Sequence, residues 1–229
     1  MSRMGYGYGS ECHLLRWMGR HRQKFDLYVA ATVGQSENPI NWLDFGFDSQ
    51  ATWPDAELKG IEFIGDNQHV KEKWKEFWPQ RGTPPSWDAV GWIGSGESKE
   101  LLLVEAKAHI GELKSPCKAQ NSGLEQIQKS LSAVKSDLGI ADEVNWLGDD
   151  YQYANRVAML WFFRKHGVKA RLLLIYFCGD WKRSGIHSPA TAEDWNGPLT
   201  QQKQRLGLPD EHALSKWIHV LFLPIVEMQ

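Results

Sequence analysis

Two carboxylates and a lysine are the residues of this chain best placed to do chemistry together: Asp88, Glu105 and Lys107. Residues 87–109, WDAVGWIGSGESKELLLVEAKAH, read as two extended runs, 87–93 and 101–107, joined by a turn at Gly94-Ser95-Gly96-Glu97-Ser98. The second run opens with four apolar residues, Leu101, Leu102, Leu103 and Val104, a pattern suited to the middle of a sheet. Side chains alternate along a strand, so Glu105, Lys107 and His109 are predicted on one face, with Ala106 and Ala108 on the other. If the runs pair as a hairpin, Asp88 lies beside Glu105. Two carboxylates that close repel, and a hard divalent cation with oxygen ligands relieves the repulsion. Lys107 could then orient an attacking water or stabilise charge developing on a phosphate. The same three residues could also be an ion-pair cluster without chemistry. The upstream aspartate, the hairpin spacing and the apolar strand together favour the functional set.

The elements that must position these residues are legible in outline. Ser10 is predicted to cap a helix starting at Glu11, in which Glu11 shares a face with Leu15 and Met18. An acid there is either an ordinary first-turn residue favoured by the helix dipole or a group with a role. The Arg16, Arg20, His21, Arg22 and Lys24 stretch is the most basic; it could bind phosphate but reads better as a solvated helix end. Residues 25–33 are ambiguous between helix and strand. NWLDFGFD (41–48) alternates and predicts a half-exposed strand, with Leu43, Phe45 and Phe47 on one face. GIEFIG (60–65) is a second candidate strand, and Asp66 is expected to cap the helix NQHVKEKWKEFW, whose apolar stripe is Val70, Trp74 and Phe77.

Past the hairpin, 110–123 reads as a polar connection. Leu124, Ile127, Leu131, Val134 and Leu138 then form a 3.6-period stripe, closed by Gly139. Asp149 or Asp150 is expected to cap YQYANRVAMLWFFRKH, a mostly buried helix ended by Gly167. Gln152, Asn155 and Arg156 interrupt its apolar arc on one side, either as buried polar groups bonded to neighbouring backbone or as residues lining a cleft. Arg156 would then be available to phosphate. RLLLIYFC (171–178) is a continuously apolar strand. Strand, helical crossover and strand predict a mixed sheet with a covered face. A helix near Thr191, a short helix near Glu211 and a last, edge strand containing Pro224 complete the chain.

Composition narrows the classes. The 229 residues, with formal net charge −2, suit one domain spanning 1–229, with a loose segment at 1–9, and make any nucleic-acid surface local. Cys12, Cys117 and Cys178 form neither a disulfide framework nor a C-x-x-C site. The eight histidines lack zinc spacing. No signal pattern or membrane-length apolar run is present, so a cytoplasmic setting without a membrane partner is expected. There is no G-x-S-x-G elbow and no Walker-type glycine loop.

Asp88 followed by Glu105-Ala106-Lys107 at the end of an apolar strand resembles the PD-(D/E)xK nuclease superfamily, the restriction-endonuclease-like fold. Pro84-Pro85-Ser86-Trp87-Asp88 is a loose version of its first element. YQYANRVAMLWFF and LLLIYFCGD are similar to stretches in bacterial members without an assigned role. The resemblance implies an α/β (α+β) fold, a central mixed β-sheet flanked by helices. It implies a metal-dependent phosphodiesterase using Mg²⁺ or Mn²⁺ held by Asp88 and Glu105, with Lys107 catalytic. Glu11 would be the first-helix glutamate that reaches the metal in many members. His109, Gln152, Asn155 and Arg156 are the candidate cleft-lining residues, His109 as a proton carrier or a satisfied strand-end histidine. Gln126 invites comparison with a helix glutamine of the superfamily, but it falls off the apolar stripe and is not assigned. The expected partner is nucleic acid, DNA ahead of RNA, with a homodimer left open. The competing reading is a catalytically silent nuclease-fold module that serves as a nucleic-acid- or protein-binding scaffold.

Overall fold

The structure is a computed structural model that describes residues 7–35, 38–43, 45–47, 57–182 and 186–226. Its centre is a five-stranded mixed sheet. In chain order the described strands are β1 (Ile40–Trp42), β2 (Leu58–Lys59), β3 (Ser86–Trp87), β4 (Ala89–Ile93), β5 (Glu100–Lys107), β6 (Ala170–Cys178), β7 (Trp181–Lys182), β8 (Ile186–His187) and β9 (Ile218–Pro224). The large sheet has the order β1-β4-β5-β6-β9, and the pairs β2-β3 and β7-β8 stand apart from it. β4 and β5 form the expected antiparallel hairpin, while β5, β6 and β9 run parallel. Parallel neighbours need crossovers, and helices supply both. β5 therefore occupies the middle, as its apolar run requires, and β9 with Pro224 lies at an edge.

Six α-helices are described: α1 (Ser10–Arg20), α2 (Arg22–Thr32), α3 (Gln68–Phe77), α4 (Asn121–Leu138), α5 (Tyr151–Lys165) and α6 (Ala192–Arg205). They cover both faces of the sheet rather than one. Leu14, Trp17, Met18, Phe25 and Val29 of α1 and α2 pack on Leu102, Val104, Ala106, Leu173 and Ile175. Val70, Trp74, Phe77, Ile127, Leu131, Val134 and most of α5 pack on Val90, Leu101, Leu103, Leu172 and Leu174. The two sets of sheet residues alternate along β5 and β6, which is the period-two rule at work. Every residue from Tyr153 to Phe163 of α5 is buried, in keeping with its nearly continuous apolar surface. Gly139, at φ 72°, closes α4 in the left-handed conformation that glycine adopts without a Cβ penalty.

Several local expectations are corrected. Residues 25–33, ambiguous between helix and strand in sequence, fall mostly within α2. The strand expected at 41–48 ends at Trp42, because Phe45 and Phe47 have φ of 55° and 51°, a backbone that cannot alternate in a ladder. Asp44 and Asp48 lie outside the described residues. GIEFIG is a 3₁₀ turn over Glu62–Ile64. Asn67, not Asp66, caps α3 by accepting the Val70 N–H at 3.1 Å. Ser10 is already helical and Gly9 takes the cap position. Asp150 stands at the cap of α5, but its carboxylate instead accepts from Gln202 and Arg205. The short helix expected near Glu211 is a 3₁₀ turn at Ser215–Trp217. Thr191 does cap α6, through a reciprocal box with Asp194. Of the segment expected to be loose, 1–6 lie outside the described residues, whereas the Gly9 N–H is tied to Asp180 at 2.8 Å. No described helix is long and apolar enough to cross a membrane.

Candidate active site

The hairpin register pairs Ala89 with Val104, and the Asp88 N–H bonds the Val104 carbonyl at 3.1 Å. Val104 thus faces both Ala89 and Asp88, and Asp88 itself, near Glu105, lies in a bend just outside the ladder. Its Oδ2 accepts the Ala106 N–H at 2.6 Å, so the carboxylate folds back along β5 rather than away from it. Glu105 is only 4% exposed. Its Oε1 accepts from Lys107 Nζ, and its Oε2 accepts from Arg156 Nε at 2.6 Å. Arg156 reaches down from α5, also donates to Asn155 Oδ1 at 2.7 Å and to the Ser86 carbonyl, and lies over the Trp87 ring. A stack of that kind adds cation–π attraction to the ion pair.

Charge is distributed unequally over the two acids. Burial acts to raise the Glu105 pKa, but Arg156 and Lys107 outweigh it and hold the carboxyl below its usual range. Asp88 goes the other way. Tight packing around it and the Glu105 charge push its pKa up to about 7, despite opposition from Lys107 and the Ala106 N–H. Asp88 is nonetheless half-buried, since one side opens onto a cavity of about 1000 Å³. Glu105 and Lys107 line a separate cavity of about 10 Å³ on the α5 side. Arg156 lines both, and Gln152 does as well.

Asp88, Glu105, Lys107, Asn155 and Arg156 are thus brought together, with Gln152 at the edge of the group. Glu11 and His109 are not. Glu11 is exposed on α1, whose buried residues are His13, Leu14, Trp17 and Met18, on the sheet face opposite Arg156. Its alignment with Met18 fails to bury it because it sits in the first turn, beyond the packed part of the helix. His109 was expected on the Glu105 face. The ladder with β6 stops at Lys107, however, and His109 Nε2 ends 2.9 Å from Asp180 Oδ2.

Asp180, just past the end of β6, sits between His109 and His13, whose Nε2 is 2.9 Å from Oδ1. Neither imidazole is aligned for a hydrogen bond at that distance, and the firm bonds to Asp180 are the Gly9 and Trp181 N–H groups, each at 2.8 Å. Burial opposes ionisation of Asp180, yet these donors and His13 hold its pKa below the usual range. Burial keeps the His13 pKa below its ordinary value despite Asp180, so the imidazole is neutral near pH 7. Sequence reading missed this cluster. The one available signal was His13 in phase with Leu14, Trp17 and Met18.

The donor set of the Asp88 site suits a hard cation: two carboxylates and the Ala106 carbonyl. Burial and, after it, repulsion by Glu105 raise Asp88, and such an ion relieves the repulsion. Both oxygens of Glu105 are engaged by cationic side chains, so an ion fits only if Arg156 or Lys107 yields one of them. Among the described residues no group of three or more His, Cys, Asp or Glu side chains could hold a metal ion, so water and backbone would complete the shell. Compared with known proteins, the chain matches no family model, no curated protein and no solved structure.

Proposed function

We propose that the protein is a divalent-metal-dependent phosphodiesterase of restriction-endonuclease-like fold that acts on nucleic acid, with DNA the expected substrate. The observation that carries the reading is the Asp88–Glu105 pair. Two carboxylates meet on a central strand, one of them is pushed to a pKa of about 7 by burial and by the other, and it opens onto a large cavity. Structure alone has little use for such a repulsion, and active sites commonly hold pairs whose environments drive their pKa values apart. Mg²⁺ or Mn²⁺ bound there would acidify a water and neutralise charge on the reacting phosphate.

The chain's own residues divide the remaining work. Asp88 and Glu105 would hold the cation. Lys107, once released from Glu105, would orient the attacking water or donate to a phosphate oxygen. Arg156 keeps Glu105 ionised in the absence of a cation and fixes its rotamer through Asn155 and Ser86. The test is cleavage of single- and double-stranded DNA and RNA with each metal and with EDTA. Wild type should cut only with metal, and Glu105→Gln should lose metal binding and turnover together. Equal trace cleavage by wild type and variants would mark a contaminant and discard the reading.

One observation favours a second reading, a silent nuclease-fold scaffold. Glu105 is fully satisfied by Lys107 and Arg156, as a purely structural buried ion cluster would be. On that reading Arg156→Met lowers stability and leaves partner binding intact, and no metal binds.

A further inference from the structure

We infer that the substrate is single-stranded, its nucleotides entering the cavity beside Asp88; this rests on the phosphodiesterase reading above. Asp88 lines that cavity, whereas Glu105 and Lys107 do not, so the cavity offers a scissile phosphate an approach to the pair from the Asp88 side. At about 1000 Å³ the cavity lies at the top of the roughly 300–1,000 Å³ range of small-ligand pockets. That is room for a few extended nucleotides and not for a duplex.

The walls do not spread at one end. They are the 79–86 loop, with Pro79, Pro84 and Pro85, and the 115–123 segment leading into α4. Gln126 of α4 donates to the carbonyls of Lys75 (3.2 Å) and Glu76 (3.4 Å), and Ser130 donates to that of Phe77, tying α4 to the end of α3. In a duplex the bases stay stacked between the backbones, and extruding a nucleotide costs on the order of a few kcal/mol. A single strand incurs no such cost.

The lining chemistry points the same way. Duplex binders spread many cations over phosphates. Here the wall carries two exposed cations, Arg81 and Lys118, while Gln120, Asn121 and Gln152 offer amides and Tyr151 a half-buried ring. Amides pair with base edges, and an aromatic ring stacks on any base.

The test is fluorescence anisotropy in EDTA, where no catalytic metal is needed, with one labelled DNA oligonucleotide as single strand and as duplex. The single strand should bind at least about ten-fold more tightly. Its log–log salt slope should be about −1.4, for two phosphate contacts, against roughly −5 to −9 for a duplex footprint of six to ten. Ser122→Trp, which places a bulky ring on the exposed cavity wall, should abolish binding while Ser122→Ala retains it and both keep wild-type circular dichroism. Duplex binding as tight as single-strand binding, no binding of either, or binding untouched by Ser122→Trp overturns the inference. Tight single-strand binding without metal-dependent cleavage would instead sink the phosphodiesterase reading and leave the substrate class standing.

Discussion

The two faces of the sheet carry buried carboxylates near the carboxyl ends of β5 and β6, and they treat them differently. On one face Asp180 is ionised, closed in, supplied with two backbone N–H donors and flanked by two imidazoles. On the other, Asp88 takes one backbone N–H, stands beside a second carboxylate, and opens onto the cavity. The first arrangement stabilises its own charge and ties the N-terminal segment to the sheet. The second raises a pKa and leaves a partly protonated carboxyl where a ligand can reach it. On the proposed reading, the contrast separates a structural acid from a functional one better than either residue's identity does.

The comparison can be broken by substitution. The largest effects are expected in turnover. Lys107→Ala should spare metal binding, because Arg156 still holds Glu105, and should lower the rate on the order of 10²-fold. A steady-state assay with a parallel Mn²⁺ titration separates the two. Asp180→Asn should leave the rate per folded molecule unchanged but cost about 1–3 kcal/mol, since an amide cannot accept from both N–H groups as the carboxylate does. Denaturant melts read that loss, and an equal fall in rate would collapse the distinction between the faces.

Asp88→Asn should have the opposite sign on stability. The folded-state pKa of Asp88 lies above its unfolded value, so its contribution is fully present below about pH 4 and is lost as pH rises through about 7. The variant, which mimics the protonated acid, should gain on the order of 1 kcal/mol at pH 8 after allowance for the half-open site, gain little at pH 4, and lose metal-dependent activity. Melts at the two pH values check this, and a loss at pH 8 would show Asp88 to be structural. Glu11→Gln is the smallest change: stability within about 0.5 kcal/mol and an unchanged rate. A large loss of metal affinity would return Glu11 to the site.

What was legible in sequence was local. The hairpin register follows from turn length and period two, which is why Asp88 could be expected near Glu105 before the fold was known, although the irregularity that leaves Asp88 outside the ladder was not legible. The α3 and α4 stripes and the β6 run needed only periodicity. Tertiary facts were out of reach. Arg156 meets Glu105 across 51 positions, and nothing in its helix signals whether it faces phosphate or a carboxylate. His109 leaves the Glu105 face because the ladder to β6 stops two residues earlier, which depends on a partner far along the chain. The 110–123 segment reads as a polar connection, and only packing sets its 115–123 part across the cavity from 79–86.

The central claim is that Asp88 and Glu105 form a cation site, and a calorimetric Mn²⁺ titration at pH 6 and pH 8 tests it most directly. One ion should bind with Asp88 as a ligand. Affinity should be higher at pH 8, and near pH 7 binding should release part of a proton, because the ion binds only the ionised acid. Glu105→Gln and Asp88→Asn should each abolish it. Absence of binding at millimolar Mn²⁺ at both pH values, or binding indifferent to both substitutions, would contradict the account.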